Sequence, residues 1–270
     1  MNICQLEEKA RYLRRKAFDM SINAGKGHLG GSFSCTEILV VLYYSGILRY
    51  NSNNPEWEDR DIFILSKGHS VNTFYVLLAD LGFFPNSELE SYCCNGSMLG
   101  EHCDKVVPGI EVVGGSLGHG LGVGCGCSLA AKLDKKQNMT FVIIGDGECQ
   151  EGSIWEAALF ASHHKLNNLI VFLDWNKLGC EDFVDNTSKL RPIVDKWNSF
   201  GWETKFIDGH SIEKILLALV NCRERRSKKP LIIIADTIKG KGIPCLENTP
   251  QSHHSLPNGE DIFKTKENLK

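Results

Sequence analysis

Several things are missing from this sequence of 270 residues, and each absence excludes a class of function. No apolar run approaches the roughly 18 residues of a membrane-spanning helix. The N-terminus, MNICQLEEKARYLRRK, is charged throughout and has no apolar stretch of the kind a signal peptide carries. Charge of one sign is not in excess: the formal net charge is −3, so no general field draws in nucleic acid or an anionic membrane. No Walker A motif is present, because Gly25-Lys26 is followed by Gly. In the glycine-rich stretch 114–126 no G-x-G-x-x-G can be completed, which removes the nicotinamide-binding fingerprint. There is no internal repeat, no low-complexity tract and no linker long enough to divide the chain. A single domain over 1–270 is expected.

Cysteine is plentiful, with 11 residues, yet no C-x-x-C pair occurs. The clusters Cys93-Cys94 with Cys103, and Cys125 with Cys127, lack zinc-ligand spacing. An odd number of scattered thiols suits a reducing, cytoplasmic setting, with each Cys acting as a small apolar filler. Hydrophobic residues make up 42%, enough for a sizeable core. The basic run Arg223-Glu224-Arg225-Arg226-Ser227-Lys228-Lys229 reads as a solvated loop, with phosphate binding the less favoured alternative.

Periodicity outlines an α/β chain. Leu6, Ala10, Leu13, Ala17 and Met20 form one helical stripe. The stretch Ala24–Gly31 is too glycine-rich to continue it. Ser34 with Glu37 reads as a capping box opening a helix to about residue 48. Short apolar runs then alternate with helical segments. Strands are expected at 61–65, 140–144, 169–175, 202–207 and 231–236. Helices are expected at 71–81, 117–133, 151–165 and 211–222, with 86–116 irregular. This rhythm implies an open, mainly parallel sheet with helices on both faces.

In such a sheet, ligands bind beyond the carboxyl ends of the strands. His69, Asp146 and Asn176 each follow a predicted strand. Asp146 lies between Gly145 and Gly147, which let a bound group approach the backbone closely. Asn176 follows 30 positions later, with one helix between (176 − 146 = 30). A carboxylate, an amide oxygen and a main-chain oxygen beyond Asn176 suit magnesium, which takes its remaining oxygens from phosphates and water. An Asp after a strand is often only a helix cap, and an Asn there only a turn former. The pair at this spacing, flanked by both glycines, outweighs those readings.

The wording GDGECQEGSIWEAALFASHHKLNNLI, followed by Asn176, resembles the thiamine diphosphate signature of the transketolase family. Further similar segments occur in family order: GKGHLGGSFSCTEILVVLY at 25–43, ILSKGHS at 64–70, PGIEVVGGSLGHGLGVG at 108–124 and ADTIKGKG at 235–242. Together they cover about residues 5 to 258. The resemblance implies the diphosphate-binding domain of a thiamine diphosphate fold. It also implies thiamine diphosphate with Mg2+, or Ca2+ or Mn2+ in its place, as cofactors.

Residue by residue, the resemblance assigns the metal to Asp146, Asn176 and the main-chain oxygen of Leu178. His69 would approach the diphosphate, beside Gly147. Gly115 and Leu117 would lie against the thiazolium ring. His28 would contact substrate and cofactor. Glu151 matches a glutamate at the subunit interface that couples paired sites. His102 matches a substrate histidine, although the proline of the family's G-H-P-E is absent here. The late active-site histidine, which touches cofactor and substrate, falls at Ser252-His253-His254-Ser255. The distance to Pro257 favours His253 and leaves His254 open. His119 stands where full-length transketolases often carry Gln, and stand-alone N-terminal halves can carry His.

The resemblance stops where the chain stops. It implies a split enzyme, in which a separate C-terminal subunit supplies the pyrimidine-binding half and an α2β2 assembly forms. The reaction it implies is transfer of a two-carbon ketol unit from a ketose phosphate to an aldose phosphate. Pentose phosphates and more specialised sugars fit this half equally well. The other readings are a 2-oxo acid dehydrogenase α-like or deoxyxylulose phosphate synthase-like subunit, whose reactions release carbon dioxide, and a non-catalytic partner chain.

Overall fold

A computed structural model describes residues 1–270. Five strands form one sheet in the order β1-β2-β3-β5-β4: β1 Ile62–Leu65, β2 Thr140–Gly145, β3 Leu169–Trp175, β4 Glu203–Asp208 and β5 Leu231–Asp236. Every neighbouring pair is parallel. Ten helices surround it: α1 Ile3–Ala24, α2 Leu29–Ser34, α3 Thr36–Tyr44, α4 Asn72–Asp80, α5 His119–Leu133, α6 Gly152–His163, α7 Val184–Thr187, α8 Ile193–Ser199, α9 Ile212–Leu219 and α10 Glu260–Asn268. No helix is long and apolar enough to cross a membrane.

The near-continuous apolar runs of the central strands follow from burial on both faces. Successive residues alternate between two cores. Phe141, Ile143, Ile170, Phe172 and Ile233 join the larger core, with Leu13, Leu39 and Phe74 from α1, α3 and α4. Val142, Ile144, Val171, Leu173 and Ile234 join the smaller one, with Leu121, Ala158 and Trp197 from α5, α6 and α8. β3 is buried along its whole length.

Local chemistry sets the helix ends. Asn2 and Gln5 exchange side-chain and backbone hydrogen bonds at 2.9 Å and start α1. Gly25, at φ 64, stops it. Ser211 accepts from the Lys214 N–H and starts α9.

The structure departs from the sequence expectations where tertiary contacts outbid local ones. Gly30 and Gly31 are helical, within α2. A Cβ at Gly30 would meet the Ser252 carbonyl oxygen at 2.2 Å, and one at Gly31 would meet Ser70 Oγ at 2.4 Å, so close packing explains these glycines. The capping box does not form. Ser34 Oγ donates instead to Gly31 O and Asp174, and α3 starts at Thr36 without a side-chain cap. Glu37 is buried and takes a two-pronged bond from Arg14, at 2.6 and 2.7 Å. That helix ends at Tyr44 rather than near residue 48. The helices α7, α8 and α10 lie where no element was expected.

The basic run is not a free loop: Arg223 pairs with buried Asp61 and Arg225 with Glu203. All 11 cysteines are free. Cys35, Cys103, Cys125, Cys149 and Cys222 are buried as expected of fillers, whereas Cys4, Cys94, Cys180 and Cys245 are exposed.

Glu37 is held at a pKa of about 2: burial works against the charge, and Arg14 and His210 overcome it. Removing one partner strands the other in the core. Arg14→Met should therefore cost about 3–5 kcal/mol in urea unfolding, and Arg14→Met/Glu37→Met should recover most of that loss.

Candidate active site

The turns that follow β1, β2, β3 and β5 meet at one rim of the sheet. They enclose a cavity of about 490 Å³. Its lining includes His28, His69, His102, Gly115, Leu117, Asp146, Gly147, Glu151, Asn176, Leu178 and His253, and also His254. The structure thus brings every site residue expected from the sequence to one cleft. His119, by contrast, is exposed at the start of α5 and hydrogen-bonds Ser116 at 3.0 Å.

Beneath the cleft lies a polar layer that sequence reasoning missed. Asp174, in β3, is fully buried. It pairs with Lys67 and accepts hydrogen bonds from Ser34, Thr237 and Asn176, the last at 3.1 Å. Lys67 also donates to Gly31 O at 2.9 Å. Burial alone would raise the Asp174 carboxyl, but Lys67 and the two hydroxyls hold it below the usual carboxylate range. Glu148 plays a similar part beside it, accepting from Ser66 Oγ and from the backbone N–H of Gly118 (2.9 Å) and Gly145 (3.0 Å). It binds the ends of β1 and β2 to the start of α5. The sequence offered one signal for these residues, a charged or hydroxylic side chain at each strand end, and no means of pairing them.

Asp146 sits directly after β2 and is buried. Its carboxylate accepts from the Gly147 N–H at 2.7 Å and from the Lys177 N–H. Burial, with the Asp174 charge nearby, pushes its pKa up to about 7. Asn176 Oδ1 accepts from the Leu178 N–H at 3.1 Å, which fixes the turn. Lys239, after β5, donates to the carbonyls of Leu178 (3.2 Å) and Gly179. Burial lowers its pKa to about 8.

This donor set fits a hard cation and an anion together. Asp146 is a buried carboxylate whose charge is incompletely compensated, and neutral oxygens of Asn176 and Leu178 line the same cleft. Lys239 adds positive charge at the same place, its ammonium shared among Leu178 O, Gly179 O and His253 Nδ1.

At the cleft mouth the imidazoles cluster. The His28 ring centroid lies 5.4 Å from His69, 5.5 Å from His102, 5.4 Å from His253 and 4.7 Å from His254. His253 Nδ1 is 3.2 Å from Lys239 Nζ. Burial, then the neighbouring His254, His102 and Lys239, lowers His28 to about 4. Burial and Lys239 lower His253 to about 3. Burial and Lys67 hold His69 well below the ordinary range. At neutral pH these three rings are uncharged. His28 Nδ1 is buried without a hydrogen-bond partner, with the Glu101 carboxylate 3.9 Å away.

Three comparisons place this geometry among known proteins. The family model described as the transketolase thiamine diphosphate binding domain matches residues 6–270. A 6-deoxy-6-sulfo-D-fructose transketolase subunit from Clostridium sp. (strain MSTE9) is 39% identical over 250 residues, covering 92% of this chain and 90% of that protein. An apulose-4-phosphate transketolase subunit from Actinobacillus succinogenes is 38% identical over 271 residues, covering 98% and 96%. The transketolase of Campylobacter jejuni superposes with a TM-score of 0.93 at 32% identity over all of this chain and 43% of that one. The chain belongs to the transketolase family. Its place there is that of the thiamine diphosphate-binding subunit of a transketolase.

Because the depressed histidines stay neutral in the fold but take up protons when unfolded, acid favours unfolding. The stability these histidines contribute should be full above about pH 6.5 and fall as pH drops towards 4, while Asp146, raised to about 7, acts in the opposite sense. Thermal unfolding across that window checks this, and His28→Asn should flatten the slope.

Proposed function

We propose that this chain binds thiamine diphosphate through a divalent cation. Together with a second chain it moves a two-carbon ketol unit between sugar phosphates. The observation that carries the reading is the single cleft that unites an oxygen-donor turn (Asp146, Asn176, Leu178) with a group of neutral imidazoles. Asp146, the Asn176 side chain and the Leu178 carbonyl hold Mg2+, or Ca2+ or Mn2+ in its place. Lys239, His69 and Gly147 line the part of the cleft that would take the diphosphate. Gly115, at φ 120, and Leu117 would line the side of the cleft that takes the ring.

When bound, thiamine diphosphate supplies the electron sink that lets a carbon–carbon bond beside a ketone break and re-form. The protein's own residues do the rest. His28 and His253, neutral and half to fully buried, accept hydrogen bonds from substrate hydroxyls and can take up a proton. His28 Nδ1 makes no hydrogen bond within the chain. His102 adds a third imidazole at the same mouth.

A second chain is part of the proposal. Two relatives named as transketolase subunits match this chain over 90% or more of their own length, whereas the Campylobacter enzyme is covered over only 43%. The outer face of α5 and α6 supports the same reading. Val123, Leu159 and Phe160 are exposed there, and the space beside Gly122 and Gly126 is open. Glu151 is exposed at the start of α6, at the edge of that face and of the cleft. We place the pyrimidine-binding subunit on this face, in an α2β2 assembly, with Glu151 coupling the paired sites. The free thiols and the absence of a spanning helix fit a cytoplasmic enzyme.

Calorimetry with thiamine diphosphate and Mg2+ tests the cofactor assignment. Asp146→Ala should abolish ordered binding and, in the complex, activity; unchanged binding would overturn it. Ketol transfer from xylulose 5-phosphate to ribose 5-phosphate, or to a specialised acceptor, should need both chains. Val123→Glu should prevent association with the second chain while the circular dichroism of this chain stays the same.

A further inference from the structure

The basic run Arg223–Lys229 takes no part in the cleft and lies at the opposite edge of the sheet. Asp61 precedes β1, Asn138 and Met139 precede β2, Asn167 and Asn168 precede β3, and Cys222 to Arg225 precede β5. Here a second cavity opens, of about 360 Å³. Its twelve lining residues include Arg49, Lys132, Lys135, Lys136, Arg223 and Arg225, and no carboxylate. That volume lies within the range of small-molecule sites, about 300–1,000 Å³.

The arginines are fixed before any ligand arrives. Asp61, 3% exposed, lies below the cavity. It accepts from the backbone N–H of Arg49 (2.8 Å) and Met139 (2.9 Å), and it pairs with the guanidinium groups of Arg49 and Arg223. Arg223 is braced further by Ile47 O at 2.8 Å. Arg225 is held by Glu203 at 2.7 Å and Lys229 O at 3.0 Å, with its side chain 10% exposed. The Nε atoms of Arg49 and Arg225 are buried without a hydrogen-bond partner. Lys132 is spent on the last carbonyls of the turn after α6, His164 and Lys165. Lys135 and Lys136 are exposed at the rim, and Lys136 meets only Glu58, at 3.6 Å.

One buried carboxylate thus organises two guanidinium groups, and a local excess of positive charge remains. Arg49 Nη1 makes no hydrogen bond and, with the ammonium groups of Lys135 and Lys136 at the rim, remains to donate to phosphate oxygens. Because the guanidinium groups are ordered already, binding loses little side-chain freedom. We propose that this cavity is a binding site for a small anion carrying two or more phosphate groups, separate from the cleft at the other edge.

Titration of the full chain with inorganic triphosphate, in EDTA and without Mg2+, tests this by calorimetry. The chain should bind one equivalent, with affinity that weakens as KCl is raised. Lys135→Asn/Lys136→Gln should lower the affinity about tenfold or more, since two charges are lost at the rim. Asn tolerates the left-handed backbone of Lys135, at φ 56, and both side chains are exposed, so the variant should fold. Lys239→Gln, which removes a cation of the cleft, should leave triphosphate binding unchanged. The proposal is overturned by no saturable binding, by equal affinity in the double variant, or by loss of binding in Lys239→Gln, which would place the anion in the diphosphate cleft.

Discussion

The cleft rests on one buried ion pair, Lys67 with Asp174. Neither residue reaches solvent, and together they tie down four segments: the turn after β1, the β3 strand itself, the helix α2 through Gly31 and Ser34, and the turn after β5 through Thr237. Two charges removed from water cost several kcal/mol each, and their attraction offsets this only when the remaining donors and acceptors are satisfied. Here they are: Asp174 has hydroxyl and amide donors besides Lys67, and Lys67 has a carbonyl as well. The pair defines one relative placement of the strand ends, and so one shape for the cleft above.

That placement governs the electrostatics of the site. The fixed Asp174 charge, together with burial, raises Asp146 and leaves it poised for a cation. The fixed Lys67 charge helps to hold His69 neutral. Lys239 acts on His253 in the same way, and itself stands with a lowered pKa between Leu178 and Gly179. The cleft therefore combines the Asp146 carboxylate and the polar turn at Asn176 and Leu178 with imidazoles that burial and the nearby lysines keep free of charge. Glycine makes the arrangement sterically possible: a Cβ at Gly68 would meet Gly114 Cα at 2.6 Å, where the two cleft loops cross.

The sheet has a second, structurally independent edge. There a buried carboxylate again orders cations, Asp61 with Arg49 and Arg223, but no tier of histidines lies above them. Both edges use the same device, a buried acid that fixes flexible basic side chains, at opposite ends of the same strands.

Much of this was legible in the sequence. The strands 169–175 and 231–236 have the expected bounds, because fully buried parallel strands are written as unbroken apolar runs. The candidate cleft residues were legible because each stands directly after such a run, beside glycine, in segments that resemble one family. Less legible was whatever depends on partners distant in the chain. Ser34 and Glu37 look like a local capping box, yet Asp174 lies 140 positions from the one and His210 lies 173 positions from the other. Arg223 looks solvated, yet Asp61 is 162 positions away. The sequence by itself determined the parallel α/β class, the identity of the residues at the strand ends and the family they belong to, since these depend on local apolar pattern and residue type. Only the tertiary structure decided which acid meets which base, which imidazoles lose their charge and which glycines are packing requirements. Those properties arise from burial and from close approach of distant segments, which no local pattern contains.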